Sequence, residues 1–280
     1  MDNFLPGLYI VSTPIGNLED ITFRALKVLK NSDKILCEDT RRSLKLLNHY
    51  GIKKKLISNH KFNEKKMLKH TIDFIQSGKS VSIISDAGTP TVSDPGLILI
   101  KECVKSEIDI FPIPGVSAIT TAMSASGFDE KYFFYGFLPK TEKQTQKVFE
   151  DIKEFNFNIV FFVPAIKINF YIKNFKKFFK ERDIFIGREM TKIHETFYRG
   201  SLNKFNEFKT PIKGELTVIL SKMKSMKIKE ASFKKEDLKT EIKKYLKRYS
   251  LKDVVKLISV KNSLPRKKVY DLCLSIKKDE

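Results

Sequence analysis

The chain has 280 residues, 41% of them hydrophobic and 31% charged, a balance typical of soluble globular domains rather than of a disordered chain. Its 53 basic and 33 acidic side chains give a formal net charge of +20, which favours a polyanionic partner such as nucleic acid. The start has no signal-peptide pattern, the longest uncharged stretch (110–128) contains prolines, and the three cysteines and four histidines are dispersed, so we expect a cytoplasmic protein without a membrane span, disulfide scaffold or metal centre.

Residues 1–137 are predicted to form an α/β domain. Short apolar, β-branched runs alternate there with stretches of helical spacing, as in a largely parallel sheet whose strands are buried on both faces. The predicted strands are 7–12, 33–37, 80–85 and 108–111, and the predicted helices are 20–30, 40–50, 64–77 and 95–105.

A second α/β domain is predicted over residues 138–222. It follows the sequence GFLPK and contains predicted strands at 158–163, 183–187 and 216–221. No internal sequence repeat relates it to the first domain.

The last part of the chain is strongly basic. Residues 222–280 hold 19 basic and 8 acidic side chains, a net +11, whereas residues 1–137 have a net +3. The 45 Lys against 8 Arg indicate the drift that an AT-rich genome produces, but such drift acts on a whole chain and does not explain this gradient.

A helical module is predicted at 236–280. Its helices would span 236–248 and 251–259, and Ser263 would cap a third helix with Pro265 in its first turn. Two short helices joined by 260–262 resemble a helix-turn-helix that binds nucleic acid. The alternative is a helical cap that only covers a domain. The candidate RNA contacts in this module are Arg266, Lys267 and Lys268.

Three loops that follow predicted strands have the composition of a ligand pocket. They are STPIGN at 12–17, SDAGTPTVSDPG at 85–96 and PIPGVSA at 112–118, and open α/β sheets bind ligands at such strand ends. Gly lets a backbone approach a ligand closely and Pro keeps a loop rigid, so we expect a pocket lined by backbone and short polar groups. The P-loop, G-x-G-x-x-G and G-x-S-x-G motifs are missing from the sequence, which argues against those nucleotide-binding and hydrolase folds.

These motifs make the chain similar to a known family. The runs LYIVSTPIGNLEDIT, CEDTR, SDAGTPTVSDPG, PIPGVSAITTAMSASGF, YGFLPK, GREMTKIHET and KGE resemble the ribosomal RNA small subunit methyltransferase I family of the tetrapyrrole-methylase superfamily. The resemblance extends from residue 8 to 220, and the tail resembles the family's C-terminal helical extension.

The resemblance implies two αβα domains of tetrapyrrole-methylase type with S-adenosylmethionine in the cleft between them, a homodimer, and no metal. It also implies 2′-O-methylation of a decoding-centre cytidine in small-subunit (16S) rRNA, either as free rRNA or in the assembled small ribosomal subunit. One departure is FFVPAIK at 161–167, where many relatives have a run like FYESPHR. The positions implied to bind the cofactor are Pro14, Gly88, Thr89, Pro90, Ser117, Ala118, Val163, Pro164, Glu189 and Glu215.

A ribose 2′-OH is a poor acid, so its methylation calls for a nearby base or hydrogen-bond acceptor. Glu38 and Asp39 are the first candidates, because they follow a strand and precede a helix and so point to the same sheet end as the cofactor loops. For Asp39 the alternative is charge pairing at the helix N-terminus. Further candidates are Asp86, and His60 together with Glu64.

An rRNA methyltransferase is the leading hypothesis, and two other functions remain open. Arg41 and Arg42 are expected to contact RNA phosphates, and with the basic tail they favour an rRNA methyltransferase. A tetrapyrrole methylase acting on a small molecule would need no basic tail. A non-catalytic RNA-binding or ribosome-assembly factor on the same fold is supported only by the altered segment at 161–167.

Overall fold

The larger of two compact units contains two β-sheets. The computed structural model describes residues 4–223, 235–246, 249–261 and 266–278, and the chain divides into the units Met1–Lys224 and Ser225–Glu280. The α/β class predicted from the sequence is confirmed. The elements of the first sheet and its helices are β1 (Gly7–Val11), α1 (Phe23–Asn31), β2 (Lys34–Cys37), α2 (Thr40–His49), β3 (Leu56–Ser58), α3 (Glu64–Gln76), β4 (Ser80–Ile84), α4 (Leu97–Lys105), β5 (Ile110–Ile113) and α5 (Ala118–Ser126).

The first sheet is parallel and has the strand order β3-β2-β4-β1-β5. Its two faces are buried by different helices, because alternate residues of a strand point to opposite sides. Val11 of β1 belongs to an apolar cluster with Leu29 of α1, whereas Leu8, three residues earlier on the same strand, packs with Ile72 of α3 and Leu99 of α4. This arrangement brings the carboxyl ends of β1, β4 and β5, and the loops that follow them, to one edge of the sheet.

Two helices of this part begin later than the sequence predicts. Thr22 caps α1, since its hydroxyl accepts a hydrogen bond from the Ala25 amide at 3.1 Å. Gly96 precedes α4 with a φ of +122°, so the backbone turns there and Pro95 lies outside the helix. The predicted starts at 20 and 95 are therefore wrong by two or three residues.

The second sheet is mixed, whereas the first is parallel. Its elements are β6 (Tyr132–Phe137), α6 (Glu142–Ile152), β7 (Asn158–Pro164), α7 (Ile168–Phe179), β8 (Asp183–Arg188), β9 (Thr196–Ser201) and β10 (Glu215–Leu220). The strand order is β6-β7-β10-β8-β9, and within residues 4–223 only the β6–β7 pair of this sheet is parallel. Because β6 hydrogen-bonds to β7, this sheet begins before the boundary that the sequence predicted after residue 137.

The second unit contains the helices α8 (Lys235–Leu246), α9 (Leu251–Lys261) and α10 (Arg266–Lys278). They share an apolar cluster that includes Ile242, Ile258 and Cys273, each fully buried. The predicted start of α9 is confirmed, because the Ser250 hydroxyl accepts a hydrogen bond from the Asp253 amide at 3.3 Å. The predicted features at 247–248 and 262–265, including Ser263 and Pro265, lie outside the described residues. None of the described helices is long and apolar enough to span a membrane.

Candidate functional site

A cavity of about 460 Å³ lies between the loops of the first sheet and the strands of the second. The loops after β4 and β5 supply the first wall, with Gly88, Thr89, Ser117 and Ala118. The second wall is formed by the ends of β6, β7 and β10. Its lining residues there are Phe137, Phe162, Val163, Pro164, Glu215, Leu216 and Thr217.

The three loops of the first wall hold one another in place. The backbones of Thr13 and Gly88 exchange two hydrogen bonds, of 2.9 and 3.0 Å, in an isolated bridge. The hydroxyls of Ser12 and Thr89 lie 2.9 Å apart. A Cβ at Gly115 would lie 2.8 Å from the Cβ of Ser12, so only glycine permits this approach of the third loop to the first. The predicted loops therefore form one preorganised surface.

The loop at 85–96 is also strained, because two of its non-glycine residues have left-handed backbones. Thr91 has a φ of +71° and Ser93 a φ of +75°. Its end is fixed by Glu64, whose buried Oε1 accepts hydrogen bonds from the amides of Gly96, Ile98 and Leu99 at 3.0–3.3 Å. Such strain persists only where the surroundings determine the conformation, and it is common at functional sites.

One end of the cavity is acidic. Glu38, Asp86 and Asp94 all line it together with Arg42, whose guanidinium pairs with Asp86 at 3.2 Å. Burial, together with the charges of Glu38 and Asp86, raises the pKa of the Asp94 carboxyl to about 6, although a hydrogen bond with Ser85 acts to lower it. Burial also raises the pKa of Glu38, and the charge of Asp86 acts in the same direction. A carboxylate that takes up a proton near neutral pH is suited to general base chemistry.

Asp39 lies outside this group. Its carboxylate caps α2 by accepting a hydrogen bond from the Arg41 amide at 2.8 Å, and it pairs with the Arg41 guanidinium at 2.9 Å. Hydrogen bonds from the Arg41 side chain and backbone lower the pKa of Asp39 to about 2. The structure therefore places Asp39 and Arg41 in the helix N-terminal pairing that was the alternative for Asp39, and neither lines the cavity.

His60 and Glu64, which we considered together as candidates for the base, have different structural roles. Glu64 is buried as the cap of α4, and the His60 ring accepts a hydrogen bond from the Phe62 amide at 3.2 Å. Neither lines the cavity, although the charge of His60 lowers the pKa of Glu38. The sequence analysis missed that Glu64, the first residue of α3, accepts hydrogen bonds from the amides at the start of α4.

At the second wall, Glu189 supports the cavity without lining it. Its Oε1 accepts hydrogen bonds from the Glu215 amide at 2.8 Å and from Lys192 Nζ at 3.0 Å. A Cβ at Gly214 would lie 2.5 Å from the Glu189 carboxyl, so glycine is required where the chain enters β10. Burial acts to raise the pKa of Glu189, but the contacts with Glu215 and Lys192 outweigh it and lower that pKa. Of the two glutamates expected from the resemblance, Glu215 alone lines the cavity.

The altered segment at 161–167 has a structural explanation in part. Phe161 is fully buried in the core of the second sheet, while Phe162 lines the cavity. Lys167 donates a hydrogen bond to the Lys140 carbonyl at 3.0 Å. The segment thus closes the cavity with an aromatic ring.

Most of the predicted cofactor residues meet at the cavity. The predicted residues that do not line it are Pro14, Pro90 and Glu189, and the two prolines are buried in the loops behind it. Sequence reasoning missed Asp94, which lay within a quoted motif, and the aromatic pair Phe137 and Phe162. In the second unit, Arg266, Lys267 and Lys268 are exposed in the first turn of α10.

Comparisons with known proteins identify this fold. The chain matches the family model of the tetrapyrrole (corrin/porphyrin) methylases over residues 7–206. Diphthine synthase resembles it in structure with a TM-score of 0.59 at 15% identity, covering 76% of this chain and 89% of that one. Uroporphyrin-III C-methyltransferase from Thermus thermophilus, solved with S-adenyl homocysteine, has a TM-score of 0.53 at 14% identity, covering 77% of this chain and 97% of that one. The fold is that of the tetrapyrrole methylases.

Closer relatives specify the branch of that fold. Ribosomal RNA small subunit methyltransferase I of Thermotoga maritima is 45% identical over 218 residues, which cover 76% of this chain and 97% of the relative. The protein of the same name from Buchnera aphidicola is 39% identical and covers 100% of both chains. The chain belongs to the ribosomal RNA small subunit methyltransferase I family.

Proposed function

We propose that the protein is an S-adenosylmethionine-dependent rRNA methyltransferase that methylates the ribose 2′-oxygen of a decoding-centre cytidine. The observation that supports it most is the cavity at the loop ends, in a chain 45% identical to a relative named ribosomal RNA small subunit methyltransferase I. A protein that only binds RNA would not need an acidic, preorganised cavity end.

The cavity suits S-adenosylmethionine in size and chemistry. Its volume of about 460 Å³ falls within the range of roughly 300–1,000 Å³ usual for small-molecule pockets. Ile15, Phe162 and Leu216 offer apolar surface for an adenosine. Glu38 and Asp94 offer negative charge to a cationic sulfur or amino group. When bound, S-adenosylmethionine supplies a methyl group that its positively charged sulfur has already activated.

The protein's own contribution is positioning and proton removal. The bridge between Thr13 and Gly88 and the contact of Ser12 with Thr89 hold the first wall rigid, so reacting groups meet without further ordering. Phe137 and Phe162 offer apolar surface on the opposite side. The carboxylates at the acidic end accept the hydroxyl proton, and Glu38 belongs to this group whereas Asp39 fixes α2.

RNA would be held by basic side chains at the edge of the cavity and beyond it. Arg42 is 66% exposed at the cavity edge and Arg41 is 87% exposed beside it, so both can reach a phosphate. Arg266, Lys267 and Lys268 add exposed positive charge in the second unit. The substrate would be small-subunit rRNA or the assembled small subunit, and a small tetrapyrrole would not need the basic second unit.

We also propose that the protein acts as a homodimer. Several large apolar side chains are almost fully exposed in the single chain, among them Phe23 at 92% and Ile193 at 98%. A contact between two copies that covered such side chains would remove their apolar surface from water. Light scattering at several concentrations tests this, and a monomer at all of them would contradict it.

The test of the function compares small-subunit rRNA from cells with and without the gene by mass spectrometry of its nucleosides. Loss of one 2′-O-methylcytidine from the decoding centre in the deletion strain is the expected result. An unchanged decoding-centre ribose contradicts the proposal, and it would favour the non-catalytic assembly factor.

A further inference from the structure

A second, more open hollow adjoins the cavity that we propose for the cofactor. Its volume is about 610 Å³, and its walls include Asp20 before α1, Thr120 and Thr121 of α5, and Thr191 between β8 and β9. Ser117 lines both the hollow and the cavity. The two spaces therefore meet at Ser117, and a molecule in the hollow would lie beside a ligand in the cavity.

The wall that the second sheet contributes to the hollow is fixed. Thr191 has a left-handed backbone, with a φ of +66°. Its hydroxyl accepts a hydrogen bond from the Asn17 amide at 3.0 Å, and its own amide donates one to the Glu195 carboxylate at 2.6 Å. A non-glycine residue keeps such a conformation only where its surroundings determine it, and such residues are common at functional sites. The hollow is therefore shaped before a ligand enters it.

Two polar side chains of the hollow lack the hydrogen bonds that their positions would predict. The Oδ2 atom of Asp20 is enclosed, and it has no hydrogen-bond partner among the described residues. Ser117 is the N-cap of α5, yet its hydroxyl makes no capping hydrogen bond. A serine at an N-cap usually accepts a bond from an amide of the first turn, and an enclosed carboxylate oxygen without a donor costs free energy. Both side chains are therefore available to a ligand that brings hydrogen-bond donors.

The charge of the hollow indicates which part of an RNA it can hold. None of the described residues that line it is basic, and Asp20 is acidic, so a phosphate would find repulsion there and no cation. Pro114 and Val116 offer apolar surface to a flat ring. The volume falls within the range of roughly 300–1,000 Å³ usual for small-molecule pockets. An uncharged base that carries an amino group fits these properties, and enzymes that modify a nucleotide commonly take its base into such a pocket.

We propose that the hollow binds the target nucleoside of the rRNA, and that the Asp20 carboxylate selects cytosine by accepting a hydrogen bond from its exocyclic amino group. This inference rests on the proposed function. Aspartate is a known acceptor for that amino group, whereas uracil has a carbonyl oxygen in its place. With uracil the carboxylate would face a second acceptor and remain unpaired. A nucleoside bound in this way has its ribose near Ser117, next to the cofactor cavity.

The first test measures base selection by the full-length protein. Single-turnover methylation is followed on small-subunit rRNA that carries cytidine or uridine at the target position, free and in the assembled subunit. The wild type should prefer cytidine by roughly 5- to 150-fold, as expected for one well-placed contact to a base edge. Asp20→Asn should bring that ratio close to one, because an amide can also donate to the uracil oxygen. Glu19→Gln is the matched control: it removes the charge of a neighbouring exposed residue that lines neither space, and it should keep the wild-type ratio.

The second test fills the hollow. Thr120→Trp places an indole in the space proposed for the base and should abolish methylation. Ser124→Trp adds the same ring one turn further along α5, at an exposed residue that does not line the hollow, and should methylate as the wild type does. Calorimetry with S-adenosylhomocysteine should give wild-type affinity in all four variants, which shows that each is folded with its cofactor cavity intact.

The outcomes separate this inference from the function on which it rests. If the wild type methylates no rRNA, the proposed function is wrong. If it methylates rRNA and Thr120→Trp keeps its rate, or Ser124→Trp loses as much, the hollow is not the nucleoside site. If the wild type accepts uridine as well as cytidine, or Asp20→Asn keeps the preference, or Glu19→Gln loses it equally, Asp20 does not select the base.

Discussion

Gly88→Val should weaken cofactor binding beyond its effect on stability, and Gly78→Val is its matched control. Both glycines have left-handed backbones, with φ of +78° at Gly88 and +83° at Gly78. Forcing an L residue into that region costs about 1–3 kcal/mol, partly offset by about 0.4–1 kcal/mol from the stiffer unfolded chain. Each variant should therefore lose roughly 1 kcal/mol of unfolding free energy, or about 2–4 °C in Tm.

The two positions differ in what a side chain would meet. A Cβ at Gly78 has nothing within 4 Å, whereas a Cβ at Gly88 lies 3.5 Å from Ile15 Cγ2 and 3.8 Å from the Val116 carbonyl, both ordinary contacts. Overlap of the Cβ itself with the protein thus adds little at either site. Only Gly88 lines the cavity, so its valine also occupies space next to the ligand.

Calorimetric titration with S-adenosylmethionine and thermal unfolding, run on both variants, separate these effects. Gly88→Val should lose at least about tenfold in affinity, equivalent to about 1.4 kcal/mol, while Gly78→Val binds as the wild type does. Wild-type affinity in Gly88→Val would refute the placement of the cofactor against the loop at 85–96. An equal loss in both variants would refute the argument from the cavity lining and point to a general loss of stability.

Three further perturbations test the supporting contacts. Glu64→Ala should cost about 3 kcal/mol of unfolding free energy, because it leaves buried amides at the start of α4 unpaired. It should also slow methylation, because the loop at 85–96 is no longer held at its end. Glu64→Gln keeps an acceptor, so chemical denaturation should show a smaller loss of unfolding free energy. Arg182→Met should cost at least about 3 kcal/mol, since the buried guanidinium donates hydrogen bonds to the carbonyls of Phe157 and Ser221 at 2.8 Å, and an unchanged denaturation midpoint would contradict that role. The double variant Arg266→Gln, Lys267→Gln should reduce the slope of log affinity for rRNA against log salt by about 0.7–0.9 per lost phosphate contact and leave cofactor affinity alone. The double variant Lys53→Gln, Lys55→Gln, at the amino end of β3 and so away from the cavity edge, should keep the wild-type slope. If both double variants gave the same salt slope, Arg266 and Lys267 would not contact RNA phosphates. The C-terminal helical module would then be only a cap that covers a domain.

The strands that the sequence predicted are the ones with partners on both sides, together with one edge strand. The three that it missed, β3, β6 and β9, all lie at a sheet edge, where a strand hydrogen-bonds on one side and its residues are more exposed. Their alternation of apolar and polar residues is correspondingly weak. The fourth edge strand, β5, was predicted two residues early, and it contains Pro112, which has no amide to donate and is tolerated at an edge.

The candidate site was predictable at the level of loops but not of side chains. Gly and Pro content marked the loops at 85–96 and 112–118 because it reflects backbone conformation, which is local. Which carboxylate faces the cavity depends on hydrogen bonds between distant residues. Asp39 is turned away by Arg41, which is local, but the end of the loop that carries Asp94 is held by Glu64, which is thirty residues from Asp94 in sequence. Spacing alone does not reveal such contacts.

The most direct test of the central claim is methylation of small-subunit rRNA by the purified protein with S-adenosylmethionine. The rRNA is taken from the deletion strain, both free and in the assembled subunit, and the methylated nucleoside is identified by mass spectrometry. The account predicts one 2′-O-methylcytidine in the decoding centre. A methyl group on a base, or no transfer to either form of the rRNA, would contradict it.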